Sequence, residues 1–364
     1  MIRCDKNEIL KAISAAAGAV DGRSLFLKNC LIRYAQDELQ VTGTDNDLMV
    51  RTTVECSSNE PGEFLADPKK LREIISAMKS GDIIIHPGKE KATLSQESLN
   101  GSYSFLKASP DNYPSYPEVE GGIDIEAEFI RDVLTKTQYA AARDTVKPVF
   151  SGILLTGDGT KIKAAATDSK RLAMAEHDCA GEKFRCIIPI SAIGEILKYI
   201  GSGPCQIMPS ENTFMLKSGS VEIWTRLIGG EFPDVSKVVP AECRIEVTAN
   251  KAGLLEVLRR IVIFAPAVSA KVRISLSPGD MIFRAQNSDY GEGVETLRVK
   301  SPIGGSINLS VNVKYLQEAV NAIDDEFVTI GINDATSPVL IRPHLKEGHL
   351  AVVMPIQTKE DRDD

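Results

Sequence analysis

Three aspartates, Asp45, Asp47 and Asp168, are the residues whose type and spacing come nearest to catalysis, because paired carboxylates can divide general acid and base roles. Asp45 and Asp168 each follow a threonine, in TGTDNDLMV and AATDSKRLA, between two strand-like runs. Nothing completes a site around them. The four histidines, His86, His177, His344 and His349, are scattered, and none pairs with Cys or His at metal-ligand spacing. His344 and His349 flank the turn-like LKEG and are expected to face solvent. A phosphate-binding GxxxxGK[ST] loop and a GxSxG elbow are absent, and no GxGxxG follows a strand. An aspartate that recurs at one place in two copies of a repeat is expected to fix a turn by accepting bonds from nearby backbone N–H groups. The residues therefore argue for a non-catalytic protein with no metal and no cofactor, a carboxylate-dependent hydrolase being the alternative.

The elements that hold these aspartates recur three times. LQVTGTDNDLMVRTTVE from Leu39 returns as IKAAATDSKRLAMAEHD from Ile162 and, more faintly, as MIFRAQNSDYGEGVETLRV from Met281. A second series runs in step: FLADPKKLREIISAMKSGDIII from Phe64, CIIPISAIGEILKYIGSGPCQI from Cys186 and LSVNVKYLQEAVNAIDDEFVTI from Leu309. The period of about 120 residues is that of a domain and far exceeds a solenoid repeat. Three domains are expected, at 1–121, 122–242 and 243–364, with boundaries in the Pro- and Gly-rich ASPDNYPSYPEVEGG and in EFPDVSKVVPAEC.

Each repeat reads as two halves, each a strand, a helix and further strands, so the fold class is α+β. Asp67, Ser191 and Asn312 stand where helix N-caps belong, and Pro68 follows the first. Apolar residues then fall at helical spacing: Leu71, Ile74, Ile75, Met78; Ile193, Ile196, Leu197, Ile200; Leu316, Ala319, Val320, Ile323.

Hydrophobic residues make up 43% of the 364, enough for cores, while aromatics at 5% exclude a rich base-stacking surface. A net charge of -8 excludes a protein basic all over, but leaves room for cations gathered on one face. Such cations sit on the helices: Lys69, Lys70, Arg72 and Lys79, Arg131 and Lys136, Lys198, Lys251, Arg259 and Arg260, and Lys314. The seven cysteines form no CxxC pair and read as reduced, buried thiols of a cytoplasmic protein. The segment MIRCDKNEIL lacks a signal-peptide pattern, and no run is apolar enough to span a bilayer.

ATDSKRLA from Ala166, with KPVFSGILL before it, GGEFPDVSKVVP after it and AVVMPI near the end, resembles the family of bacterial sliding clamps, the beta subunits of DNA polymerase III. The resemblance spans Met1 to Ile356. It implies three clamp domains, each two βαβββ halves, and a head-to-tail homodimer forming a six-domain ring with helices lining the hole. The implied function is to encircle duplex DNA without sequence preference and tether polymerase, clamp-loader subunits and other proteins that carry a short peptide. A clamp-fold scaffold that does not close a ring is the other alternative.

Carried over by position, the resemblance implies a partner-peptide pocket of Phe150, Thr167, Ser169, Lys170, Arg171, Leu172, Pro240, Arg244, Ile245, Asn312, Tyr315, Val339, Ile341, Val352, Val353, Met354, Pro355 and Ile356, with Arg171 orienting the peptide. It adds Arg23 and Arg143 to the DNA-facing cations, and Ile75, Met78, Phe105, Ile263 and Phe264 as candidates for the dimer seam. Ser169-Lys170 departs from the Gly-His common in the enterobacterial form, and Phe150 from a frequent aliphatic residue. The acidic tail at 357–364 extends past the usual end; it is expected to be flexible, to overhang the pocket and to tune binding of acidic peptides.

Overall fold

The computed structural model describes residues 1–24, 26–98, 100–116, 122–300 and 307–357. The acidic tail expected to overhang the pocket lies, beyond Gln357, outside the described residues.

Strand, helix and three strands alternate six times. The first repeat holds β1 (Ile2–Asp5), α1 (Lys6–Ala19), β2 (Cys30–Tyr34), β3 (Glu38–Thr44), β4 (Leu48–Glu55), a two-residue β5 (Ser57–Ser58), β6 (Gly62–Ala66), α2 (Pro68–Ala77), β7 (Asp82–Pro87), β8 (Lys91–Ser95) and β9 (Ser102–Leu106). The second holds β10 (Ile123–Glu126), α3 (Ala127–Thr137), β11 (Gly152–Asp158), β12 (Lys161–Thr167), β13 (Arg171–Asp178), β14 (Lys183–Pro189), α4 (Ile190–Tyr199), β15 (Pro204–Pro209), β16 (Thr213–Ser218) and β17 (Val221–Arg226). In the third are β18 (Ile245–Asn250), α5 (Lys251–Ile261), β19 (Lys271–Ser277), β20 (Asp280–Asn287), β21 (Gly291–Arg298), β22 (Ile307–Asn312), α6 (Val313–Ala322), β23 (Phe327–Ile332), β24 (Val339–Pro343) and β25 (His349–Val353).

Helix starts follow side-chain chemistry. Asp67 accepts from the N–H groups of Lys69 and Lys70 at 2.9 and 3.2 Å, and Asn312 from those of Lys314 and Tyr315 at the same distances. Asp5 and Asn250 cap α1 and α5 in the same way, a signal the sequence reading passed over. Ser191 is a correction: α4 begins at Ile190, directly after Pro189, so Ser191 falls inside the first turn.

Tertiary contacts divide the chain into two units, 1–130 with 191–227, and 131–190 with 228–364. The division cuts the middle repeat because its strands join different sheets, β10 with β15–β17 in one and β14 with β11–β13 in the other. In the first unit the sheets run β5-β1-β7-β8-β9 and β10-β15-β16-β17-β4-β3-β2-β6; in the second, β14-β11-β12-β13-β25-β24-β23-β18 and β21-β20-β19-β22. Each eight-stranded sheet is two four-stranded halves from successive repeats, joined edge to edge. At the first junction Met49 pairs Trp224 and Val50 pairs Ile223; at the second Leu172 pairs Val352 and Ala173 pairs Ala351. The first unit's core gathers Ile9 and Ile13 of α1, Leu71 and Ile75 of α2, and Ile2, Ile32, Val41, Phe64 and Ile83 of the strands. The second unit's larger core packs Leu254, Leu258 and Leu316 of its helices on Val272, Phe283, Val328 and Ile341.

All seven cysteines are free thiols. Cys4, Cys30, Cys186 and Cys205 are buried, and burial pushes the first three up to about 12 and the last to about 11. Cys56, Cys179 and Cys243 are only partly covered, against the expectation of uniform burial.

His349 corrects another expectation. It is the first residue of β25, pairs Ala175 across the second junction, and is only 6% exposed. Its place in a strand hydrogen-bonded to β13 carries it inside, whereas His344 at the other side of the turn stays exposed. Burial, reinforced by the Lys136 ammonium and opposed by Asp132, pulls its imidazole down to about 4. A base depressed on folding leaves stability full above its unfolded value near 6.5 and lost as pH falls toward 4. Between pH 7 and 4.5 the native chain should lose about 2–3 kcal/mol more stability than His349→Gln in denaturant titrations; equal losses would contradict this placement.

Candidate functional site

At the second junction, Thr167 to Arg171 form a tight turn between β12 and β13. Asp168 Oδ1 accepts from the N–H groups of Lys170 and Arg171 at 2.9 and 3.0 Å. Thr167 Oγ1 accepts from the Ser169 N–H at 3.1 Å and donates to the Arg171 carbonyl at 2.6 Å, and Ser169 takes φ 74°. Asp45 does the same for Asp47 and Leu48, at 3.0 and 2.8 Å. Both carboxylates are thus spent on turns, as their recurrence predicts.

Beside this turn lies a cavity of about 220 Å3. Leu172 and Val352, paired across the junction, form its floor, and Phe150, Thr167, Ser169, Arg171 and Met354 surround it. Pro233, Asp234, Val235 and Val238 make the remaining wall. The Asp234 carboxyl, which accepts from the Ser236 hydroxyl and N–H at 2.6 and 3.2 Å, sits below the usual carboxylate range and caps the short turn that carries this wall. Aliphatic walls with a pliable Met and few polar groups suit an apolar side chain held by a small number of hydrogen bonds.

Arg171 is placed differently from expectation. It borders the cavity, but its guanidinium lies 4.3 Å from the Tyr315 ring centre and 5.7 Å from that of Tyr139. It bonds Asp168 Oδ2 at 3.1 Å and the Glu318 carboxylate, with the side chain 11% exposed. Two carboxylates and two rings hold that charge in place, so Arg171 offers no free cation to a ligand and instead fixes the turn against α6.

Seven of the eighteen positions carried over for the pocket line the cavity, and eleven do not. Val339, Ile341 and Val353 point into the second unit's core, because alternation along β24 and β25 sends them to the face opposite Val352. Asn312 caps α6 and donates to the Ser269 carbonyl at 3.0 Å, while Tyr315 stacks on Arg171. Lys170 is exposed, its carbonyl accepting from the Met354 N–H at 2.9 Å. Pro240, exposed Arg244 and Ile245 are beyond the wall, Ile245 packing on the core; Pro355 and Ile356 run past it, the Ile356 N–H bonded to Ser310 O at 2.7 Å. The wall from Pro233 to Val238 was missed because EFPDVSKVVP reads as a boundary loop. Its Pro-Asp, shared with the other linker's SPDNYPSY, is the signal that marks it.

The cations divide by partner. Lys69, Arg72, Lys79, Arg143, Arg259 and Lys314 are exposed and unpaired among the described residues. Lys70 pairs Glu73 at 2.9 Å and Arg23 pairs Asp21 at 3.6 Å on the surface, where such pairs are weak, and exposed Lys198 lies 3.7 Å from the largely covered Glu195. Arg131 is half-buried. Three candidates are engaged: Lys136, 17% exposed, holds Asp132 at 2.6 Å; Lys251 donates to the Ile323 carbonyl, closing the end of α6; and Arg260 grips Glu295 through two bonds of 2.6 and 2.9 Å.

Of the seam candidates, Ile75 and Met78 are core residues, 0% and 5% exposed, because α2 turns that face onto the first unit's sheets. Phe105 and Phe264 are partly buried against their own cores, and Ile263 is 66% exposed.

Family models for the DNA polymerase III beta subunit match the chain in order: the N-terminal domain over residues 1–117, the central domain over 124–234 and the C-terminal domain over 236–357. The chain is 25% identical over 342 residues to the beta sliding clamp of Chlamydia muridarum, covering 92% of each, and 25% identical over 362 residues to that of Pseudomonas aeruginosa, covering 97% of this chain and 98% of the other. The crystal structure of the Pseudomonas aeruginosa DNA polymerase III subunit beta superposes with a TM-score of 0.93 at 24% identity, covering 98% of this chain and 100% of that one. Three βαβββ-twice domains in this order define a sliding clamp, a non-catalytic processivity factor of DNA replication. The chain belongs to the DNA polymerase III beta subunit family.

No helix among the described residues is long and apolar enough to cross a membrane. Since Asp168 supports a turn, Asp168→Ala should cost the second unit about 1–3 kcal/mol in denaturant unfolding. An unchanged midpoint would contradict that role.

Proposed function

We propose that two copies of this chain close head to tail into a ring of six domains around duplex DNA, and that the cavity at the second junction captures a short peptide of the polymerase or clamp loader. One observation carries the ring: the strand edges left over. The first junction joins β4, the last strand of one repeat's first half, to β17, the last strand of the next repeat's second half. The second joins β13 to β25 by the same rule. Among the described residues two strands of this kind remain without a partner, β21 of the third repeat and β9 of the first, each at the end of its sheet. An open edge is a template for another strand. Pairing β21 of one copy with β9 of another repeats the internal rule, and two such seams close a ring with twofold symmetry.

The edges carry exposed apolar residues suited to a seam: Tyr103 and Leu106 on β9, Val294 on β21, and Ile263 near it, exposed by 45, 73, 53 and 66%. DNA contact is assigned to the exposed helix cations Lys69, Arg72, Arg259 and Lys314, to Lys79 just past α2, and to Arg143 and Arg23 on loops. Flexible cations meeting phosphates read no sequence and weaken with salt. The net charge of -8 disfavours DNA elsewhere on the surface. The protein so read is cytoplasmic, binds through fit and charge, and holds its polymerase on DNA by encirclement.

Leu106→Lys places a charge on the seam at an exposed position, so the fold should survive while the dimer is lost. Sedimentation at micromolar concentration should give twice the chain mass for the native protein and the chain mass for the variant. Native monomers, or a variant that still dimerises, would count against the seam.

A further inference from the structure

The two junctions are copies of one construction. At the first, Thr44 Oγ1 accepts from the Asn46 N–H at 3.0 Å and donates to the Leu48 carbonyl at 2.8 Å, and Asn46 takes φ 81°, the left-handed value that Ser169 takes at 74°. The Arg226 N–H bonds the Asp47 carbonyl at 2.9 Å, as the Met354 N–H bonds that of Lys170 at 2.9 Å. Met49 and Trp224 pair across the first seam where Leu172 and Val352 pair across the second. A Pro-Asp linker runs over each, Pro110-Asp111 to Tyr116 and Pro233-Asp234 to Val238.

The copies differ in what covers the seam. At the second, Leu172 and Val352 are buried at 2% and 1% exposure with Val235 of the linker packed on them, but a cavity of about 220 Å3 remains beside the pair. At the first, Tyr116 covers it: its ring stands edge-on to Trp224 with centres 4.6 Å apart, and it packs with Met49, Met208 and Met215. The Tyr116 hydroxyl bonds Thr44 Oγ1. Because the Thr44 proton is already given to Leu48, Tyr116 is the donor in that bond. The Trp224 indole N–H, on a residue 6% exposed, meets no acceptor among the described residues. Such a buried donor is unsatisfied in the shut form and could meet a peptide carbonyl.

We propose that the first junction is a second peptide site of the same construction, held shut by its own Tyr116, and that it takes an aromatic side chain bearing a hydrogen-bond donor once Tyr116 leaves. By the same equivalence Tyr116 shows what the open cavity accepts: a side chain against Leu172 and Val352, with a donor aimed at Thr167 Oγ1. That second statement rests on the open cavity being a peptide site; the first does not.

Trp224 is the chain's single tryptophan and sits in the shut site, so its emission reports that site alone. The probe is the linker's own sequence, acetyl-SPDNYPSY with a fluorescein label, followed by Trp224 emission and by label anisotropy. In Tyr116→Ala, checked for folding by its thermal transition, the Trp224 emission should shift red and return on titration. The site should saturate at a concentration at least about tenfold lower than in the native chain, since the shut fraction lowers apparent affinity in proportion. Tyr116→Phe keeps the ring and loses the bond to Thr44, so it should fall between the two, and it decides the matter should the alanine variant not fold. A folded alanine variant whose Trp224 ignores the probe, or variants that respond like the native chain, would overturn the proposal. Anisotropy in the native chain with Trp224 silent reads the open cavity separately. Its absence would count against that cavity as a peptide site and leave the Trp224 result to judge the masked one.

Discussion

A β-strand at the edge of a sheet presents a row of unpaired N–H and C=O groups, and this chain is organised by where it satisfies that requirement. Each repeat is two four-stranded halves with a free last strand. Two of these edges are closed internally, β4 on β17 and β13 on β25, forming the eight-stranded sheets, while β9 and β21 stay open at the ends of the other two sheets among the described residues. The middle repeat has both edges used and is shared between the chain's two compact units. The proposed ring closure would continue, between chains, a pairing already made twice within one.

The candidate peptide site depends on the same pairing. Val352 reaches Leu172 only because β25 lies on β13, and the Met354 N–H is held by Lys170 O for the same reason. Arg171 secures the arrangement from behind, its charge balanced by Asp168 and Glu318 between two tyrosine rings. One wall is not sheet at all but the linker from Pro233 to Val238. A linker lying over a junction can either leave a cavity beside the paired residues, as here, or fill that place with a side chain, as Tyr116 does in the copy.

Much of the fold was legible in the residues because repetition averages out local ambiguity. The βαβββ halves, the caps Asp67 and Asn312, and the turn role of Asp45 and Asp168 all follow from patterns seen twice or more. What the residues hid depends on facing. Ile75 and Met78 look like seam residues in a list, but helix periodicity turns them into the core; Val339, Ile341 and Val353 belong to a strand face that a carried-over motif does not distinguish from Val352. Pairing hid the rest. Lys251 and Arg260 are basic residues on helices, as expected, but the Ile323 carbonyl and Glu295 come from distant sequence and engage them, while Lys136 is held by Asp132 one turn earlier on its own helix. His349 was misplaced because a neighbouring turn signal outweighed the strand it begins.

The proposed encirclement would let an acidic protein serve DNA, since a closed ring needs only weak, sequence-blind contacts inside it. The most direct measurement is retention of the chain, loaded by its clamp loader, on circular and linearised DNA of the same sequence after a wash in high salt, where phosphate contacts are screened. The account predicts that the protein stays on the circle and is shed when the circle is cut. Equal, salt-dependent loss from both forms would contradict it.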